Sequence, residues 1–174
     1  MGKYVKKSEK ALRAEHTKQL DIIYSACFCV LWQDYQWKEK RIIRRFQESA
    51  KIWTSCKNFS ILEVMENETG IEMTLEGDKS FHEYAFLSGD TMVKPISDAE
   101  YIYMQQRCVK WLPTLILASV CLALYRIDGW GYERLSRFIC KVDALRQLLG
   151  KNPKDYDRYM LETTGHHTIE FWRQ

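Results

Sequence analysis

Residues 22–46 and 115–139 of this 174-residue chain carry one pattern twice, 93 positions apart. "IIYSACFCVLWQDYQWKEKRIIRRF" lies over "LILASVCLALYRIDGWGYERLSRFI". Ile23 falls on Ile116, Leu31 on Leu124, Trp37 on Trp130 and Arg41 on Arg134. Residues similar in kind fill Ile22/Leu115, Trp32/Tyr125, Ile42/Leu135 and Phe46/Ile139. Further on, "ENETGIEM" (66–73) echoes "LETTGHHTIEF" (161–171), with Thr69-Gly70 over Thr164-Gly165 after a two-residue insertion. The order of apolar helix, aromatic turn, Arg–apolar pair, second helix and Thr-Gly points to an internal duplication. Each copy must then form the same supersecondary unit.

Within a unit the hydrophobic period is helical. The first helix, 9–34 in copy one and 113–127 in copy two, is apolar on most faces and is expected in the core. A turn follows, "DYQW" or "DGWG", and then a second helix at 38–55 and 132–149. Ile42, Phe46, Ala50 and Trp53 are expected on one face of it, as are Leu135, Ile139, Val142 and Leu149. Gly150 and Pro153 mark the stop of the latter. A third short helix, 60–68 and 154–163, ends at the Thr-Gly, where Gly70 and Gly165 suit a left-handed cap. After each Thr-Gly the period alternates: "IEMTLEG" sets Ile71, Met73 and Leu75 opposite Glu72, Thr74 and Glu76, and "HHTIEFW" does so more loosely. These two stretches are expected to pair as short strands. Ser97, with Glu100, reads as the N-cap of a further helix before residue 113.

The expected fold is therefore mainly α, with a minor α+β element: two related helical units plus a small β hairpin or two-stranded element. The units are 1–76, with the basic helix, and 98–174, joined by a linker or hairpin at 77–97, the expected hinge. Together they make one compact domain.

Size and composition suit a chain that buries its own core: 46% of residues are hydrophobic and Pro and Gly are sparse. Charge is segregated. Residues 1–57 carry 13 Lys and Arg against 6 Asp and Glu, residues 58–106 carry 2 against 10, and residues 107–174 carry 11 against 7. This suits an anionic partner, or segments that pair with each other, and it argues against a uniformly acidic DNA mimic. The cationic start "MGKYVKKSEKALRAEH" has no apolar signal region, so six cysteines are expected as free thiols in a reducing, cytoplasmic compartment. "WLPTLILASVCLALY" (111–125) is short for a membrane span and contains Pro113, so a core helix is expected and no membrane contact.

Catalytic signatures are absent. The sequence holds no P-loop, G-x-S-x-G, H-E-x-x-H or glycine-rich dinucleotide turn, and "GWGY" (129–132) lacks the strand and Lys that phosphate handling needs. Cys27 and Cys29 lie about 200° apart around a helix and cannot hold one ion together. His166-His167 has no local carboxylate or thiol cluster, and Glu48, Glu63 and Glu66 read as a solvated acidic face. The expectation is a non-enzymatic protein without metal or cofactor.

The basic element carries the functional signal. Arg41, Arg44 and Arg45 are expected to project together from the second helix, one turn after Lys38 and beside Trp37. Copy two keeps Arg134 and Arg137, with Lys141 one turn on. These eight residues are the expected contact set for a protein, DNA or RNA partner, since guanidinium forks suit phosphate and carboxylate alike. Internal pairing with the acidic middle segment is the competing expectation. A helix-turn-helix-like DNA regulator placing the three arginines in a groove, or a phage structural or assembly protein, is the alternative.

The string "GWG", then "RL", then "ETTG", matched in copy one by "QWK", "RI" and "NETG", resembles small proteins encoded by phages and prophages of Clostridia-type bacteria. Some proteins of this sort are type II-A anti-CRISPR proteins, which bind the Cas9 effector and block its action on DNA. The resemblance spans nearly the whole chain and implies a phage-derived inhibitor acting on Cas9 loaded with guide RNA in the host cytoplasm. Copy one departs from it at Gln36 and Lys38, where copy two has Gly129 and Gly131.

Overall fold

The computed structural model describes residues 3–56, 61–75 and 98–167. Its helices are α1 (Lys3–Gln33), α2 (Glu39–Ser55), α3 (Ile61–Thr69), α4 (Asp98–Asp128), α5 (Tyr132–Leu149) and α6 (Pro153–Thr164). The molecule is mainly helical, and no strand occurs among the described residues. Residues 71–75 keep the expected alternation, with Ile71 and Leu75 buried and Glu72 and Thr74 exposed, but they form no strand. The hairpin or linker at 77–97, Ser97, and most of the second alternating stretch lie outside the described residues.

α1 and α4 form the centre. Every residue from Ile22 to Leu31 and from Leu115 to Leu124 is buried, as expected for helices that are apolar on all sides. The two segments expected as separate helices before and after residue 113 are one helix of 31 residues. Pro113 has no N–H for the preceding turn, which costs about 3 kcal/mol in a helix interior. Trp111, Leu112 and Leu115 are 2–5% exposed, and burying each such side chain contributes about 1.5–3 kcal/mol. Burial on both sides of the proline outweighs the lost hydrogen bond. The apolar stretch also runs further than 111–125: Val109–Asp128 is 20 residues and satisfies the length and composition of a membrane span, although here most of it is covered by protein.

The short helices cover the long ones reciprocally. α2 and α3 pack chiefly on α4, whereas α5 and α6 pack chiefly on α1; each long helix touches the helix that follows it much less. The described residues of the stretches 1–76 and 98–174 therefore share one core.

The buried stripes differ slightly from the expected ones. On α2 they are Ile42, Phe46, Ser49 and Ile52, and on α5 Leu135, Phe138, Val142 and Leu145. Ala50 is exposed and Trp53, Ile139 and Leu149 are half-buried. Ser49 is the reason the α2 stripe is hard to read. Its hydroxyl lies 2.7 Å from that of Ser119 on α4 and 3.5 Å from that of Tyr24 on α1, and Ser119 also donates to the Ile116 carbonyl at 2.7 Å. A hydrogen-bonded hydroxyl can take a core position that an unpaired one cannot.

A shared core predicts a single cooperative unfolding event. Tryptophan fluorescence and far-UV circular dichroism should give superimposable denaturation curves, and Ile42→Ala should shift both by about 2–5 kcal/mol. Two separable transitions would contradict the reciprocal packing.

Candidate functional site

Both long helices end in turns with matching backbones. Gln36 has φ 58° and Gly129 has φ 65°, the left-handed conformation that turns the chain back under the helix. A residue with a Cβ bears this at about 1–2 kcal/mol. The Trp37 N–H then donates to the Leu31 carbonyl at 3.0 Å, and the Trp130 N–H to the Leu124 carbonyl at 3.2 Å. Lys38 (φ −83°) and Gly131 (φ −79°) are both extended, so the glycine of copy two is not required there. The departures of copy one thus leave the turn unchanged.

The two turns meet. The Trp37 and Trp130 rings contact edge to face at 5.5 Å between centroids. Tyr35 lies 4.6 Å from Trp130, and Phe138 of α5 closes the cluster at 5.8 Å from Trp130. Trp37 and Trp130 are 4% and 1% exposed. They are core residues, so Trp37 is not available as the surface contact that the sequence suggests.

Cations cap the exposed side of this cluster. The Arg41 guanidinium sits 3.7 Å from the Trp37 ring centre, and that of Arg134 sits 4.3 Å from Trp130 and 5.4 Å from Tyr35. The Lys141 ammonium is 5.9 Å from Tyr35. Such placements over aromatic faces are attractive and orient the side chains.

Beyond this point the two halves diverge. Asp128, the last residue of α4, has a side chain only 4% exposed. Arg41 donates to its Oδ1 at 2.8 Å; Arg45 donates to Oδ1 at 3.0 Å through Nη2 and to Oδ2 through Nε. A carboxylate is disfavoured at a helix C-terminus, and the two guanidinium groups compensate for both the helix dipole and the burial. Burial pushes the Asp128 carboxyl up, but the hydrogen bonds and charges of Arg45 and Arg41 outweigh this and hold it below the usual aspartate range.

The expected strip of three free arginines is therefore corrected. Arg41 and Arg45 converge on Asp128, whereas Arg44 is exposed with no carboxylate partner among the described residues. Among the described residues the partner of Arg41 and Arg45 is Asp128 of α4, and from the acidic middle segment Glu68 pairs with Arg126 of α4 at 2.5 Å. Lys38 is exposed at the start of α2 and makes no capping bond with its side chain.

In copy two, Arg134 and Arg137 are exposed, and the only polar contact of Arg137 among the described residues is a 3.4 Å bond to the Glu133 carbonyl. Lys141 pairs with Asp34 at 2.5 Å, at the surface, where such a pair contributes under about 1 kcal/mol. Tyr35 lies at the centre of these charges. Burial raises the pKa of its hydroxyl, the charges of Lys141, Arg134 and Arg137 pull it down, and Asp34 raises it. Sequence reasoning missed Asp128 and did not recognise Tyr35 as its counterpart. The 93-residue offset sets one over the other, and that exchange of carboxylate for phenol was the available signal.

The other candidates do not converge. His166 packs 5.4 Å from the Trp32 ring and 4.0 Å from the Glu39 carboxylate, while His167 faces Asp157 at 3.1 Å. Glu48 pairs with Lys51 at 2.7 Å, and Glu63 and Glu66 are exposed on α3. Among the described residues no three His, Cys, Asp or Glu side chains are grouped to hold a metal ion. The described cysteines are free. Burial pushes the Cys27, Cys29 and Cys121 thiols up, Cys29 to about 12, against the reactivity a nucleophile needs. No protein-family model, curated protein or solved structure matches this chain.

Asp128→Asn should lower stability at neutral pH by about 3 kcal/mol, the lower end for a broken buried pair because Arg41 is half exposed. The folded pKa of Asp128 is depressed, so its contribution is complete above the unfolded value of 3.8 and is lost as pH falls through the lower folded value. The variant should accordingly show a shallower loss of stability on acidification below that value, measured by denaturant titration. Thiol labelling of the native protein should modify exposed Cys140 quickly and spare Cys27, Cys29 and Cys121 until the chain unfolds.

Proposed function

We propose that this chain is a non-enzymatic binding protein, a phage-derived inhibitor that occupies a surface of a bacterial defence nuclease, the Cas9–guide RNA complex, and blocks its action on DNA in the host cytoplasm. The observation that carries this reading is the charge left over where the two turns meet. Lys38, Lys40, Arg44, Arg134 and Arg137 are exposed and have no carboxylate partner among the described residues. A protein that acts by occupying a surface needs area and complementary charge, and these cations stand on helices held by a shared aromatic core. The choice of target rests on the resemblance carried by "GWG", "RL" and "ETTG".

The groove-reading regulator is less well supported, because Asp128 already engages two of the three arginines it would need. We also infer that the two halves arose by duplication. The paired turns support this, as do Thr69 donating to the Met65 carbonyl at 2.6 Å and Thr164 to that of Met160 at 2.7 Å, each just before a left-handed glycine.

The test is direct. The purified chain should co-elute with the nuclease–guide complex and reduce cleavage of target DNA. The triple variant Arg44→Glu, Arg134→Glu, Arg137→Glu should lose both effects while its helical spectrum is unchanged. Neither co-elution nor protection at micromolar concentration would end this reading, and a shift of duplex DNA without any nuclease association would favour the regulator.

A further inference from the structure

Asp128 reveals what the arginine geometry of this fold binds. In the first half, Arg41 leans across Trp37 and, with Arg45, closes on that carboxylate. In the second half, Arg134 leans across Trp130 in the same way but arrives at the Tyr35 ring, because position 35 occupies the place of 128. Arg137 and Lys141 add charge beside it, and among the described residues Asp34 is the one carboxylate paired there. In the second cluster neither arginine meets a carboxylate among the described residues, whereas in the first Arg41 and Arg45 both do and Arg44 alone does not.

We propose that Arg134, Arg137 and Lys141, gathered beside Tyr35, form an oxyanion site for a phosphate group, taken from the backbone of a single-stranded RNA. The three cations fall at i, i+3 and i+7 of α5 and span about 10 Å of helix, long enough to meet two successive phosphates. Guanidinium forks grip phosphate oxygens by paired hydrogen bonds, and the half-exposed Tyr35 ring supplies a face and a hydroxyl beside them. An acidic protein segment is the competing occupant. The clustering of net charge around an aromatic ring favours the strand. The site goes beyond the inhibitor reading, since it requires the strand to bind the isolated chain.

Binding of a short fluorescent single-stranded RNA to the full-length chain, followed by anisotropy across a salt series, tests this. Arg134→Gln with Arg137→Gln should weaken binding about tenfold or more and reduce the log–log salt slope by about 1.4, the value for two lost phosphate contacts on a single strand. Tyr35→Asp, which installs the internal anion the other half already has, should abolish binding, while Tyr35→Asn, which removes only the ring and hydroxyl, should weaken it about five- to tenfold and leave it measurable. Both arginines are exposed, so the double variant reports on the site even where a Tyr35 variant fails to fold. Displacement by millimolar inorganic phosphate identifies the free ion as a sufficient ligand, and resistance identifies the strand; both outcomes support an oxyanion site.

The proposal is overturned by absent RNA binding at low salt, by indifference to the arginine double variant, by equal affinity of Tyr35→Asp and Tyr35→Asn, or by polyglutamate binding as tightly as RNA. Absent RNA binding by the unsubstituted chain, with intact nuclease co-elution, would remove this site and leave the inhibitor reading standing. RNA binding without co-elution would do the reverse.

Discussion

Two helical runs that are buried on every face, one in α1 and one in α4, set the terms for this structure. α1 and α4 each bury a run of ten consecutive residues, Ile22–Leu31 and Leu115–Leu124. Packed together they cover only one side of each other, and the remaining sides must be shielded by amphipathic helices. Those helices come from the opposite half: α2 and α3 for α4, α5 and α6 for α1. The exchange explains why Pro113 is tolerated inside α4, since the helix is clamped by protein on both sides of it.

The same exchange brings the two aromatic turns into contact. Trp37 and Trp130 lie edge to face, and each has an arginine from the helix that follows it leaning across the ring. What happens beyond the ring depends on one residue. Asp128 gives the first cluster an internal partner whose buried carboxylate would be costly to leave unpaired. Tyr35 gives the second cluster a ring and a hydroxyl but no charge. The two clusters thus differ: one holds a carboxylate of its own chain, and in the other Arg134 and Arg137 meet no carboxylate among the described residues.

Such a difference suits the binding role proposed above. Binding elements work best when their side chains are oriented in advance, and cation–π stacking on a buried tryptophan orients Arg134 without neutralising it. The buried thiols belong to the core. Their raised pKa values follow from packing in the two central runs, and Cys27 and Cys121 are fully enclosed there.

By itself the sequence determined the helical class and the left-handed ends at Gly70 and Gly165. These follow from local period and backbone sterics, which act within a few residues. It also marked the basic residues, though not what they do. Only the tertiary structure decided that Ser49 is a core residue, that α4 runs through Pro113 and that Trp37 is buried. It also decided that Arg41 and Arg45 answer Asp128 while Arg134 and Arg137 answer no carboxylate among the described residues. Arg41 and Asp128 are 87 positions apart, and nothing in local pattern brings them together. A charge's partner is a matter of distance in space, and here that distance was set by which half covers which helix.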